Sequence, residues 1–78
     1  MFMFKVIERN GIFTIYCKSL FGYCVLKNPS NNLIAGMTVC ITSNKVLELF
    51  SKEDALEVIK RYSLSKISIE TEVQVIVR

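Results

Sequence analysis

Hydrophobic residues fall into short runs broken by Gly- and Asn-containing turns, with one stretch of helical period around residue 55. Phe2 to Glu8 is rich in aromatic and branched residues, and the Asn10-Gly11 pair that follows tolerates the positive φ of a type I′ turn. A return strand is predicted over Ile12 to Lys18, with Ile12, Thr14 and Tyr16 on one face and Phe13, Ile15 and Cys17 on the other. Apolar groups on both faces call for cover on both. If a helix meets one face, the other needs a second sheet, another subunit or a partner.

Ser19-Leu-Phe-Gly22 turns the chain into a short strand over Tyr23 to Lys27, and Asn28-Pro-Ser-Asn-Asn32 reads as an exposed loop. Met37, Val39 and Ile41 then alternate with Thr38, Cys40 and Thr42, the pattern of a half-buried strand. After a turn at Ser43-Asn-Lys45, Val46 to Phe50 reads as a fifth strand, the alternative being that Leu47 to Phe50 leads into the helix.

Ser51-Lys-Glu-Asp54 opens the predicted helix. Ser51 is placed to accept from the Asp54 amide, Glu53 and Asp54 suit the positive end of the helix dipole, and Lys60 and Arg61 suit the other end. Ala55, Val58, Ile59 and Tyr62 share one face by their spacing, Phe50 is placed to staple against Ala55, and Ser63 to Ser65 end the helix. From Ile67 onward, Ile67, Ile69, Thr71, Val73, Val75 and Val77 alternate with Ser68, Glu70, Glu72, Gln74, Ile76 and Arg78. Twelve extended residues reach about 40 Å, so this strand must bend, pair with two hairpins, or run into a neighbour. The expected fold is α+β: residues 1–78 as one domain, with an antiparallel sheet of about five or six strands and one amphipathic helix on one face.

Composition sharpens this picture. The chain has 78 residues, 51% hydrophobic and two of them alanine, so bulky apolar side chains exceed what one small core covers easily. A homodimer is therefore expected, with Ile67, Ile69, Val73, Val75 and Val77 as the candidate strand for pairing with a second copy or with a partner protein. Three cysteines, Cys17, Cys24 and Cys40, are an odd number lying in or beside apolar runs, which favours buried reduced thiols over a disulfide framework. With no secretory signal pattern at the start and no apolar run long enough to cross a bilayer, the expectation is a cytoplasmic protein with no membrane partner.

The net charge of +3 is uneven. Residues 1–47 carry five cations against Glu8 alone, whereas residues 48–78 carry five against six acids. Lys5, Arg9, Lys18 and Lys27, with Tyr16 and Tyr23 interleaved, are candidate contacts to an acidic protein surface or to nucleic acid. The plainer reading is solubilising charge, with Phe13, Phe21 and Phe50 in the core.

Catalytic chemistry has little to build on. Without histidine, acid and base work near neutrality would need retuned Glu, Lys or Cys. Glu70 and Glu72 pair on a strand face, but a solvated face requires such residues anyway. The cysteine spacing includes no Cys-x-x-Cys pair, and Gly11, Gly22 and Gly36 stand alone, so no metal site, nucleotide loop or other cofactor is expected.

Lys5-Val-Ile-Glu-Arg-Asn-Gly11, Ile12-Phe-Thr-Ile-Tyr16 and Phe50-Ser-Lys-Glu-Asp-Ala-Leu-Glu-Val-Ile-Lys-Arg-Tyr62 together resemble small accessory proteins encoded by tailed phages. The likeness covers the hairpin and the helix, about a third of the chain, and carries no functional residue with it. It implies a non-enzymatic protein of the host cytoplasm that binds and inhibits or redirects a host protein, in host takeover or counter-defence. The alternative is an RNA- or single-stranded-nucleic-acid-binding module using the basic N-terminal sheet. A third class is a virion structural or assembly component.

Overall fold

The computed structural model describes residues 2–64 and 71–77. Strands β1 (Phe2–Arg9) and β2 (Ile12–Ser19) form the N-terminal hairpin, and β3 (Gly22–Val25) extends it. A single helical turn, α1 (Asn31–Ile34), precedes β4 (Val39–Ile41) and β5 (Leu47–Leu49). The main helix α2 (Lys52–Leu64) leads to β6 (Thr71–Val77).

Local chemistry explains the turns. Asn10 and Gly11 both take positive φ, 54° and 78°, as a type I′ turn requires, and this fixes the β1–β2 register with Arg9 opposite Ile12. Ser19 pairs with Gly22, leaving Leu20 and Phe21 as the whole of the second turn. Beyond Val25 the edge of β2 changes hands: the Leu26 amide donates to the Ile15 carbonyl at 2.7 Å, and the Leu26 carbonyl accepts from Leu47 at 3.3 Å. Leu26 thus stitches β3 to β5, which takes over beside β2 at Phe13 opposite Leu49.

The sheet order is β4-β5-β2-β1-β6, with β3 also paired to β2. As the pattern predicted, the fold is α+β, with every paired neighbour among β1 to β5 antiparallel and the main helix on one sheet face. One pairing departs from an all-antiparallel sheet, because β6 joins β1 in parallel. The reason is the connection. β5 and β1 run the same way because each opposes β2, and α2, 13 residues or about 20 Å long, carries the chain back to the starting end. Ile67, Ile69 and Glu70 lie outside the described residues, and the strand that can be described is the seven-residue β6.

The core lies between α2 and one sheet face. Phe4, Val6, Phe13, Ile15, Leu47 and Leu49 meet Ala55, Val58 and Ile59, all of them buried. Tyr62 closes one end edge-on to Phe4, with ring centroids 5.5 Å apart. Ser51 caps the helix as expected, its Oγ accepting from the Asp54 amide at 3.1 Å. The loop expected over Asn28 to Asn32 is exposed, but its end coils into α1, whose last carbonyls find a donor on α2. Arg61 donates to the Leu33 and Ala35 carbonyls at 3.3 and 2.9 Å, while its guanidinium also faces Glu57 at 3.5 Å.

Three expectations about burial are corrected. Phe21 is 98% exposed, because a two-residue turn lies beyond the last paired residues and offers its side chains no layer to enter. Phe50 is 51% exposed, since it follows Leu49 and alternation turns it away from the helix. Cys24 is exposed and Cys17 only half-buried, because β3 and the end of β2 lie toward a sheet margin that α2 does not cover, and Cys40 is exposed because its register with Glu48 puts it on the helix-free face.

Candidate interaction face

Strand register decides which side chains share the sheet face opposite α2. Lys5 pairs with Tyr16 and Tyr16 with Val25; Ile7 pairs with Thr14, Arg9 with Ile12, and Lys18 with Tyr23. Each set alternates with buried helix-side residues, so Lys5, Arg9, Tyr16, Lys18 and Tyr23 all lie on the helix-free face. Lys27, two residues beyond Val25 and bridged to Val46, continues it. The six candidate contacts, drawn from separate stretches of sequence, therefore converge on one surface.

That surface is shaped and partly desolvated. Ile7, Arg9, Asn10, Ile12, Thr14, Tyr16 and Glu48 line a depression of about 380 Å³ beside the first turn. Its lining mixes the aliphatic Ile7 and Ile12 with polar side chains. Thr14 Oγ1 donates to the Ile7 carbonyl across the hairpin at 3.4 Å, holding one wall. Farther along, the Lys5 ammonium sits 4.1 Å from the centre of the Tyr23 ring, a cation–π contact that fixes both side chains against the sheet. Glu48 of β5 shares this face with the four cations, and β6 brings Glu72 into register with Met3 next to Lys5.

At the β2–β3 end stands the Leu20-Phe21 turn, with side chains 97% and 98% exposed. Reading Ser19 to Gly22 as a turn was correct, and it already placed two large apolar residues at a tip. Composition masked this signal, because a Phe is by default assigned to a core. Glu48 was missed because nothing in sequence links β5 to the first hairpin; the pairing of β2 with β5 brings them together.

The proposed oligomer residues divide. Val73, Val75 and Val77 belong to β6 and stand in register with Phe4, Val6 and Glu8 of the same chain, whereas Ile67 and Ile69 lie outside the described residues. β6 ends the sheet path on one side and β4 on the other. Among the described residues no polar or charged side chain is fully buried, and no three His, Cys, Asp or Glu side chains are grouped to hold a metal ion. No described helix is long and apolar enough to cross a membrane.

Compared with known protein families, with characterised proteins and with solved structures, the chain finds no match.

Proposed function

We propose that this chain is a small non-enzymatic binding protein that docks an acidic protein surface onto the helix-free sheet face, with Leu20 and Phe21 as apolar anchors. The observation that carries this reading is the convergence of Lys5, Arg9, Lys18 and Lys27 on one face that ends in an exposed apolar turn. Interfaces draw most of their affinity from a few aromatic or aliphatic anchors, while flanking charge sets on-rate and register. The phage-accessory resemblance suggests the setting: a host protein held and inhibited or redirected in the host cytoplasm. A second copy of the chain would add at the open edge of β6, away from this face.

Single-stranded nucleic acid is the second reading, favoured by Tyr16 and Tyr23 among the cations. Two features weigh against it. Lys5 already lies over the Tyr23 ring where a base would stack, and Glu48 lines the depression with the wrong sign for phosphate.

The test is a tagged pull-down from bacterial lysate, with and without nuclease, run beside Lys5→Glu/Lys18→Glu and Leu20→Ser/Phe21→Ser. A host protein retained after nuclease and lost with both double variants is the expected result. RNA recovery, with bound proteins released by nuclease and binding falling steeply with salt, would replace it with the nucleic-acid reading.

A further inference from the structure

The β2–β3 hairpin carries a pair of thiols that the binding face does not use. Cys17 and Cys24 are register partners, both in the thiol form. The ladder fixes their spacing. The bond from the Leu26 amide to the Ile15 carbonyl makes those two a hydrogen-bonded pair, so Cys17 and Cys24, two residues along each strand, are one as well. Such a pair holds its Cα atoms about 5.5 Å apart, inside the span of a disulfide. Its Cβ atoms sit near the long end of about 4.5–5.5 Å, whereas a disulfide holds them at about 3.5–4.5 Å. Closure therefore draws the strands together by on the order of 1 Å.

The two thiols differ in access. Cys24 is exposed, while Cys17 is half-buried against the core, and that burial, with Cys24 alongside, pushes the Cys17 thiol above its ordinary range. Cys40 stands apart. On β4 it pairs with Glu48 of β5, the strand between it and β2, and faces the opposite side of the sheet.

We propose that Cys17 and Cys24 close a reversible disulfide within the chain when the folded protein meets a small disulfide oxidant such as glutathione disulfide. The Cys24 thiolate attacks one glutathione sulfur, expelling glutathione thiolate and leaving a mixed disulfide on Cys24. Cys17 then loses its proton to water and attacks the Cys24 Sγ, forming the new S–S bond and releasing the second glutathione. Two protein thiols are oxidised and one disulfide is reduced to two thiols. Because closure strains the ladder, the bond is readily reduced again, the property of a regulatory disulfide. Its loop, Lys18 to Tyr23, includes the Leu20-Phe21 turn, so oxidation clamps the base of the apolar anchor.

The experiment equilibrates the folded full-length protein in glutathione buffers of set thiol-to-disulfide ratio, quenches with acid, alkylates with iodoacetamide and reads intact mass and peptides. The expected product is a monomer lacking two hydrogens, protected at Cys17 and Cys24, alkylated at Cys40 and restored by dithiothreitol. Cys24→Ser should abolish it, and Cys17→Ser should stop at glutathione on Cys24. Accumulation of the mixed disulfide in the unmutated protein, bonds only between chains, or closure only in denaturant would each overturn the proposal. The unmutated protein decides these outcomes even if a Cys17 variant does not fold.

Discussion

Leu20 and Leu49 offer one substitution in two opposite settings. Each Leu→Ala change removes the same three carbons, but Leu49 is 0% exposed between β4, β2 and the helix layer, whereas Leu20 is 97% exposed in the second turn. For Leu49 the lost transfer term is about 2–2.5 kcal/mol at roughly 0.8 kcal/mol per buried carbon. Adding the cavity brings the cost to about 3–5 kcal/mol, because Phe13 and Val39 are held by strand pairing and cannot collapse fully into the gap. A chain of this length has a total stability of about 4–12 kcal/mol, so Leu49→Ala removes a large fraction of it. Melting should fall by about 12–40 °C at roughly 4–8 °C per kcal/mol. Leu20→Ala should stay within about 0.5 kcal/mol of the parent. Urea titration followed by circular dichroism measures both changes, with equal slopes expected if the native and unfolded states keep their compactness. Two variants agreeing within about 1 kcal/mol would refute the placement of these leucines. Under the proposed binding role the order reverses: Leu20→Ala should keep the fold and weaken capture of a host protein in the pull-down.

Ser51→Ala should cost about 1 kcal/mol by orphaning the Asp54 amide, with Ser51→Asp restoring most of it; equal melting of all three proteins would remove the cap from the account. Gly11→Ala should lose about 1–2 kcal/mol through its positive φ alone, since no atom lies within 4 Å of the added methyl, and an undiminished melting temperature would contradict that turn geometry. Iodoacetamide at mildly alkaline pH should modify Cys24 before Cys17, because raising the Cys17 pKa lowers its thiolate fraction; simultaneous labelling in the folded protein would speak against its burial. Light scattering at high micromolar concentration should give the mass of a dimer built on the β6 edge, and a monomer mass would discard that edge as an interface.

Much of the fold was legible because its signals are local. Asn10-Gly11 dictates a turn that only a hairpin satisfies, Ser51 supplies a cap within three residues of its partner, and period-2 alternation puts Phe13 and Ile15 on one face, leaving to the tertiary structure which face the helix covers. Even the basic–aromatic face was implicit, since Lys5, Tyr16 and Lys18 keep their parity in any sheet built from that hairpin.

What required the tertiary structure depends on who lies beside whom across long stretches of sequence. The parallel union of β6 with β1 follows from α2 crossing two strands, and nothing within the alternating tail encodes the direction in which it will be met. Glu48 enters the depression only through β2–β5 pairing, and α1 exists where Arg61, some 26 residues on, reaches back to its carbonyls. Phe21, Phe50 and the cysteines show the same division. Hydrophobicity states what a side chain would gain by burial, but one small helix covers only the middle of this sheet. Which apolar groups remain at its margins is settled by how far that cover extends.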